Sequence, residues 1–503
     1  MLQQSHCTYR GYRTAGIRLT EPLLKDLEFH RTERFGVTLD AIHSFDKAHL
    51  VMLVEQGLIG ASDGRAMLRE IRRMESIGVE EARLQAQGGE HSCEQFLIRS
   101  LGEEIGGQLN LARSSGDLGE VSRRITLRTR ITTALTTLLT LRRAVIELAE
   151  RHTDAVFPAQ TFLQHAQPTS LGHWFAMWAA VLSRDTDRLL ALYERVNESP
   201  AGAGILTGSD FAIERHRTAA LLGFDAPMAN TYDAIMSHDV SVEALSVIGI
   251  VWSGLARMSD DIELWFSSDA GFIDVPDRFC DTSSVMPQKR NPGLPQQIKA
   301  QSAKALGALT AGYLAERGAS GQPMLERLEA ERSLWELYDD LAPLTHNLGL
   351  MLTALTPRTE RMLDAAAASW STASDLAALL VREAGLPWRS AHQITGIVVR
   401  LSTERKIPPN EVGQELVDEA AGLYFGKKLP LDPAALADAL DPVASVARRT
   451  VYGGPAPAAV VAACEETRAK LDDDGERVRR RSDRVGRAAL DLESAIDTII
   501  AAA

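Results

Sequence analysis

Polar and reactive side chains are concentrated in one segment, Cys280 to Pro292, which lies between two long apolar stretches. Prolines at 287, 292 and 295 exclude a regular helix there, because proline lacks a backbone N–H and restricts the residue before it. The segment carries the hydroxyls of Ser283 and Ser284, the ammonium of Lys289 and the amide of Asn291. An ammonium attracts a carboxylate, and hydroxyls and amides add directional hydrogen bonds. We therefore expect a loop that binds an anionic substrate and closes over it as a lid.

Composition alone supports a plain polar connection between helices equally well. The order of the residues favours the chemical interpretation. The run Ser-Ser-x-Met-Pro-Gln-Lys-x-Asn-Pro resembles the signature loop of the aspartase/fumarase superfamily, and within it the argininosuccinate lyase branch. The resemblance implies that Ser283 is the catalytic base and that Lys289, with Asn291, holds a substrate carboxylate during catalysis. It also implies that Ser284 and Met286 line the substrate-binding site.

A second polar segment follows two glycines at 106 and 107 and bears a guanidinium, two hydroxyls and a carboxylate. Arg113 could bind a carboxylate through two parallel hydrogen bonds. Alternatively, the segment is a turn in which Ser115 or Asp117 caps the next helix. Argininosuccinate lyases have Gly-Arg-Ser-Arg-Asn-Asp here, so Arg113, Ser114 and Asp117 match, whereas Ser115 and Gly116 replace Arg-Asn. The resemblance implies that Arg113 and Ser114 bind the substrate.

Two further elements match the same family in part. The family pattern Thr-His-Leu-Gln-x-Ala-Gln-Pro is met by Thr161, Gln164 and Gln167, which implies substrate contacts for Thr161 and Gln164. A histidine beside two glycines is usually incidental. The family nevertheless has Glu-x-x-His at this point, with Gly88 here replacing the glutamate, which implies a substrate-binding role for His91.

The departures from the family pattern bear on the substrate. Phe162 replaces the family histidine, and His165 is not its equivalent. The glutamate that pairs with that histidine is replaced, by spacing, by Gln296. The arginine-binding run Tyr-Asn-Lys-Asp-x-Gln is lost at 320–329. We therefore expect a leaving group other than arginine. A basic aliphatic amine is already protonated at neutral pH, with a pKa of about 10, and needs little help from a general acid.

The elements that must position these groups are predicted to be helices. Long proline-free stretches rich in leucine, alanine, arginine and glutamate predict an all-α fold with units at 1–117, 118–368 and 369–503. Residues 232–266 are apolar on all sides, which predicts a helix buried inside a bundle and partly covered by other subunits. The resemblance implies a homotetramer whose active sites take segments from three subunits. The charge-rich tail 465–487 is interpreted as a solvated helix.

Composition limits the remaining functions. The chain has 503 residues, 45% apolar and 24% charged, enough for two or three domains. A net charge of −13 argues against a nucleic-acid partner. The four cysteines, at 7, 93, 280 and 464, have neither metal-ligand nor disulfide spacing and favour a cytoplasmic protein. We expect no signal peptide, membrane span, metal or cofactor, and a small dicarboxylate or amino acid as the substrate.

The resemblance thus implies a carbon–nitrogen lyase that reversibly eliminates fumarate from an N-substituted aspartate. A similar activity is that of the ethylenediamine-disuccinate lyases, which act on aminocarboxylic acids. Two alternatives stay open: an argininosuccinate lyase with a diverged pocket, and a non-enzymatic helical scaffold. Intact Ser283, Lys289 and Asn291 count against the scaffold, since a protein that only binds needs none of them.

Overall fold

The architecture is almost entirely helical, which confirms the predicted all-α class. The computed structural model describes residues 8–9, 12–13, 32–319 and 326–502. The lost arginine-binding run therefore falls largely outside the described residues, at 320–325. The described strands are short and pair two by two.

The helices are α1 (Thr32–Glu55), α2 (Ala61–Ile77), α3 (Val79–Ala86), α4 (Ser92–Leu101), α5 (Glu103–Gly106), α6 (Ser115–Arg151), α7 (Leu171–Val196), α8 (Arg215–Leu221), α9 (Asp233–Met236), α10 (Asp239–Phe266), α11 (Gly293–Ala315), α12 (Glu326–Asp339), α13 (Leu341–Ala354), α14 (Thr359–Ala368), α15 (Ala373–Ala384), α16 (Trp388–Arg405), α17 (Gln414–Phe425), α18 (Pro433–Leu440), α19 (Pro442–Arg448) and α20 (Pro457–Ala501). The strands are β1 (Thr8–Tyr9), β2 (Tyr12–Arg13), β3 (Val156–Thr161), β4 (Gln164–Ser170), β5 (Glu198–Ser199), β6 (Ala226–Pro227), β7 (Ile273–Asp274), β8 (Asp281–Thr282), β9 (Arg290–Asn291) and β10 (Thr356–Pro357). Strands β5 and β6 pair in parallel, whereas β1–β2, β3–β4, β7–β10 and β8–β9 are antiparallel.

The central unit is a bundle of long helices that includes α6, α7, α10, α11 and α13. Trp178 of α7 and Trp252 of α10 are fully buried at its centre, and the Trp252 indole donates to the carbonyl of Leu337 over 3.1 Å. The long helices α6, α7 and α11 form close to where the sequence predicts them, because proline is confined to their ends. Because α11 is one of the bundle helices, the loop that precedes it is attached directly to the bundle.

Helix α10 is long and apolar enough to cross a membrane by length and composition, and it is the one helix of the described residues that meets this test. Its buried side chains, Ile248 and Trp252 among them, belong to the bundle core, as in many core helices of this length. The prediction of a single helix over 232–266 differs from the structure, which breaks it at Ser237 and His238. On the outer side Ile250 is 45% exposed, so one subunit does not bury the helix on all sides.

The N-terminal unit is built around α1 to α5, whose buried core includes Phe45, Met67 and Leu97. Leu492 and Ile496, from the end of α20, complete the same core. The C-terminal unit has a separate core formed by α15 to α18, from Leu376 to Leu440. Each unit thus has its own apolar centre, but the N-terminal one depends on the last helix of the chain.

The predicted third unit, 369–503, and the solvated tail both differ from the structure. Helix α20 leaves the C-terminal unit and packs on α6 and α7, where Cys464 and Leu471 join the central core. Asp474 is completely buried and forms an ion pair of 2.7 Å with buried Arg142 of α6. One face of the charge-rich helix is therefore part of the core, and solvent covers only the other face.

Candidate active site

The segment 280–292 forms a loop closed by a short β ladder. Strand β8 pairs with β9 so that Asp281 faces Asn291 and Thr282 faces Arg290. Residues 284–289 between the strands are exposed, with Val285 82% exposed and Met286 43%. Pro292 alone separates β9 from helix α11, so the ladder places the loop next to the first turn of a long helix.

The side-chain oxygen of Ser283 accepts hydrogen bonds from two backbone N–H groups. The N–H groups of Met286 and Val285 donate to Ser283 Oγ over 3.0 Å and 3.3 Å. Hydrogen bonds to the charged form of a group stabilise that form, so these donors favour a deprotonated Ser283. The same two contacts close a serine turn at the start of the exposed part of the loop.

A cavity of about 960 Å³ lies beside this loop, and Lys289 and Asn291 line it. The other charged side chains of its described lining are Glu263, Asp274, Asp281, Arg290 and Arg358. Asp274 pairs with Arg290 over 3.0 Å and with Arg358 over 3.2 Å. Burial raises the pKa of Asp274, but these two guanidinium groups outweigh it and lower the pKa overall. Lys289 has no ion-pair partner in the described part of the chain, so its ammonium is available to a substrate carboxylate.

Gln296 stands on the first turns of α11 and also lines the cavity. Its Nε2 donates to Glu263 Oε1 over 2.6 Å, and Lys299 Nζ donates to the other oxygen, Glu263 Oε2, over 2.5 Å. Lys299 also pairs with Asp260 over 3.3 Å. The charge of Glu263 is thus balanced by Lys299. No local pattern around Gln296 indicates this contact, because Glu263 belongs to α10.

The segment bearing Thr161 and Gln164 forms the tip of the β3–β4 hairpin, where these two residues face each other. Phe162 and Leu163 make the turn with φ of 53° and 57°, values more usual for glycine or asparagine. Their side chains are 99% and 69% exposed. Gln167 donates to Ser374 over 2.9 Å and fastens the hairpin to the C-terminal unit. The tip therefore projects an apolar pair away from its own subunit.

Comparison with known proteins assigns the family. A lyase family model matches residues 66–307 and an argininosuccinate lyase C-terminal model matches 370–447. The chain is 33% identical over 440 residues to an argininosuccinate lyase of Methanosarcina acetivorans, covering 87% of this chain and 88% of the relative. It is 36% identical over 446 residues to that of Halobacterium salinarum, covering 87% and 89%. The protein belongs to the argininosuccinate lyase family. It is therefore a carbon–nitrogen lyase of the aspartase/fumarase superfamily.

Solved structures agree with this assignment. A crystal structure of EDDS lyase in complex with formate superposes with a TM-score of 0.87 at 30% identity and covers 92% of both chains. A fumarate lyase from Mesorhizobium sp. BNC1, at 18% identity and a TM-score of 0.67, shares the fold.

The interpretation of Arg113 as a substrate ligand differs from its position in this lyase. Its side chain is 1% exposed and pairs with Asp46 over 2.7 Å. The guanidinium Nε also donates to Asn110 Oδ1 over 3.0 Å and lies over the ring of Phe45. Burial raises the pKa of Asp46, but Arg113 and Arg83 outweigh it and lower the pKa overall. Arg113 therefore acts inside the N-terminal unit as the partner of a buried carboxylate.

The other predicted residues of this unit, Ser114 and His91, take part in its internal structure. Ser114 is the N-cap of α6: its Oγ accepts from the N–H of Gly116 over 3.2 Å. The Ser114 N–H donates to Asp117 over 2.9 Å, and burial raises the pKa of Asp117 to about 6. His91 is 4% exposed, and its Nδ1 lies 3.1 Å from Asn110 Nδ2. The hydroxyl of Ser114 is partly exposed and can donate a hydrogen bond to a ligand.

The predicted site residues thus fall into three groups within one subunit of this lyase. The signature loop carries Ser283, Ser284, Met286, Lys289 and Asn291, and of these five Lys289 and Asn291 belong to the described lining of the cavity, whereas Ser283, Ser284 and Met286 do not. Thr161 and Gln164 are at the hairpin tip, and Arg113, Ser114 and His91 are in the N-terminal unit. The predicted base, Ser283, and the predicted carboxylate ligand, Lys289, therefore belong to one loop, and the remaining predicted groups belong to other parts of the fold.

Proposed function

We propose that this lyase reversibly eliminates fumarate from an N-substituted aspartate, with Ser283 as the base. The observation that carries the proposal is the pair of backbone N–H groups on Ser283 Oγ, from Val285 and Met286. These donors stabilise negative charge on the Ser283 oxygen, and in the proposed reaction this oxygen removes a proton from the carbon next to a substrate carboxylate.

Lys289 and Asn291 act on the intermediate. Loss of the proton spreads negative charge over the adjacent carboxylate, and stabilising this dianion is the main task of the site. The Lys289 ammonium, which has no partner in the described part of the protein, and the Asn291 amide are suited to that carboxylate. The C–N bond at the neighbouring carbon then breaks, and its electron pair leaves on the amine nitrogen.

The amine is proposed to be aliphatic and basic, as in an ethylenediamine-derived aspartate. Phe162 and Gln296 replace the acid dyad expected for argininosuccinate, and the similarity to EDDS lyase supports the same class. Argininosuccinate is the second candidate, because several relatives more than 30% identical carry that enzyme's name. The decisive experiment compares kcat/KM for both substrates by following fumarate absorbance. A clear preference for argininosuccinate refutes the aliphatic-amine assignment.

A homotetramer with shared sites and a cytoplasmic location are part of the proposal. Helix α11 leaves Ala300, Ala303, Gly307, Thr310 and Leu314 exposed along one side, at the three- and four-residue spacing of a helix packing face. Helix α10 adds exposed Ile250. In such an assembly, the exposed side chains of Phe162 and Leu163 at the hairpin tip would also be buried against another copy. Light scattering should give four times the chain mass, and an active monomer would contradict it.

A further inference from the structure

Two charges in the 960 Å³ cavity lack an ion-pair partner in the described part of the chain, and they have opposite signs. One is the ammonium of Lys289. The other is the carboxylate of Asp281, since Asp274 is paired with Arg290 and Arg358, and Glu263 with Lys299. A molecule with a carboxylate at one end and an ammonium at the other would satisfy both charges.

The side chain of Asp281 lies against the first turn of α11, next to Gly293. A Cβ built on Gly293 would lie 2.0 Å from Asp281 Oδ2, so the carboxylate in this rotamer occupies space that a side chain at 293 would fill. The β8–β9 ladder fixes the backbone of Asp281 from the other side. The backbone of Asp281 is therefore fixed by the ladder, and its carboxylate lies next to the first turn of α11.

The amide of Gln296 is oriented by its neighbours. Glu263 can only accept hydrogen bonds, so Gln296 must direct Nε2 toward it and turn Oε1 the other way. Lys299 holds the second oxygen of Glu263, which keeps that carboxylate in place. Gln296 follows Gly293 by three residues, which places both on the same face of α11. The backbone of Gln296 therefore lies about one helical turn from the glycine that Asp281 contacts, and its Oε1 is the amide atom that Glu263 does not engage.

We propose that Asp281 and Gln296 form the subsite that binds the amine end of the substrate, with Glu263 as the positioning residue for Gln296. An aliphatic ammonium has several N–H donors, so it can donate to the Asp281 carboxylate and to Gln296 Oε1 together. The inference rests on the proposed lyase reaction and adds which residues select the amine.

Binding measurements test the subsite separately from turnover when every protein compared carries Ser283→Ala, which binds the ligand without cleaving it; this Ser283→Ala protein is the wild-type reference in the binding comparisons. The ligands are N-(2-aminoethyl)aspartate, which carries amine nitrogen, and succinate, which lacks it. Calorimetry on the full-length protein should show that Asp281→Asn lowers the affinity for N-(2-aminoethyl)aspartate, the aminated ligand, by about 10-fold or more, because a charge-assisted hydrogen bond is lost. The affinity for succinate should not change. Gln296→Leu should act in the same direction. Asp269→Asn, an exposed carboxylate outside the cavity lining, is the matched control and should bind both ligands as the wild type does.

The positioning role of Glu263 has its own readout. In Glu263→Gln the facing amides can pair in either orientation, so Gln296 Oε1 is no longer fixed. Affinity for the aminated ligand should fall while affinity for succinate stays the same, and Glu263→Asp should recover part of the loss. A general structural defect would weaken both ligands.

The outcomes separate the two proposals. If Asp281→Asn lowers the affinity for both ligands equally, or for neither, the amine subsite is overturned even if the enzyme is an active lyase. The subsite is also overturned if the wild type binds the aminated ligand no better than succinate. Absence of turnover with every amine tested overturns the proposed function, whereas the binding ratios still decide the subsite.

Discussion

Replacing Asp474 by leucine should destabilise the protein strongly, because it leaves the buried guanidinium of Arg142 without its counter-charge. Both side chains are completely buried, 2.7 Å apart, on α20 and α6. Removing one partner of such a pair costs about 3–5 kcal/mol. With roughly 2 cal/mol/K of unfolding entropy per residue, a cooperative unit of this chain's length has an unfolding entropy of about 1 kcal/mol/K. The expected fall in Tm is therefore about 3–5 °C.

A neighbouring ion pair on the same two helices provides the control. Arg143 and Asp472 are 3.4 Å apart but 54% and 64% exposed, so Asp472→Leu should cost at most about 1 kcal/mol. The double variant Arg142→Met with Asp474→Leu should recover most of the loss, because apolar side chains of similar volume need no counter-charge. Differential scanning calorimetry at one protein concentration measures all three. Equal Tm shifts for Asp474→Leu and Asp472→Leu would refute the claim that burial sets the difference.

Three further predictions concern catalysis and pH. Ser283→Ala should lower kcat about 10²–10⁴-fold in the fumarate absorbance assay, with substrate still bound; near-normal turnover would remove Ser283 from the mechanism. Restoring the dyad with Phe162→His and Gln296→Glu should not raise kcat for an aliphatic-amine adduct, and a clear gain there would show that the amine needs an acid. Burial raises the pKa of Asp185 to about 6, above its unfolded value of 3.8, so the folded state retains the proton longer and its stability falls as pH rises from about 4 to 6. Relative to Asp185→Asn, the wild type should lose about 3 kcal/mol of unfolding free energy across that window in urea titrations, and parallel pH curves would contradict this cause.

The helices and the position of the signature loop could be predicted from sequence because both depend on local chemistry. Proline ends a helix wherever the chain folds, and this is how α6, α7 and α11 were placed. The β3–β4 hairpin was missed for a local reason as well. Its turn is made by Phe162 and Leu163, which adopt positive φ without the asparagine or glycine that normally indicates such a turn.

Contacts between distant parts of the chain could not be predicted in this way. The partner of Arg113 is Asp46 on another helix, so nothing in the residues around Arg113 distinguished a substrate ligand from an internal ion pair. Similarly, Asp474 and Arg142 are 332 residues apart in sequence, and the charges around Asp474 suggested a solvated helix. The residues that fix the amide of Gln296 were hidden for the same reason, since Glu263 comes from the preceding long helix.

The packing of α20 against the N-terminal unit has a consequence for synthesis on the ribosome. Leu492 and Ile496 fill part of the core whose other members lie mostly in α1 to α5, and Glu493 pairs with Lys47. The first unit to emerge therefore cannot complete its apolar centre until the final helix has been translated. Until then its unfilled groove is exposed to other nascent chains, and it is during this interval that a chaperone would protect the protein from aggregation.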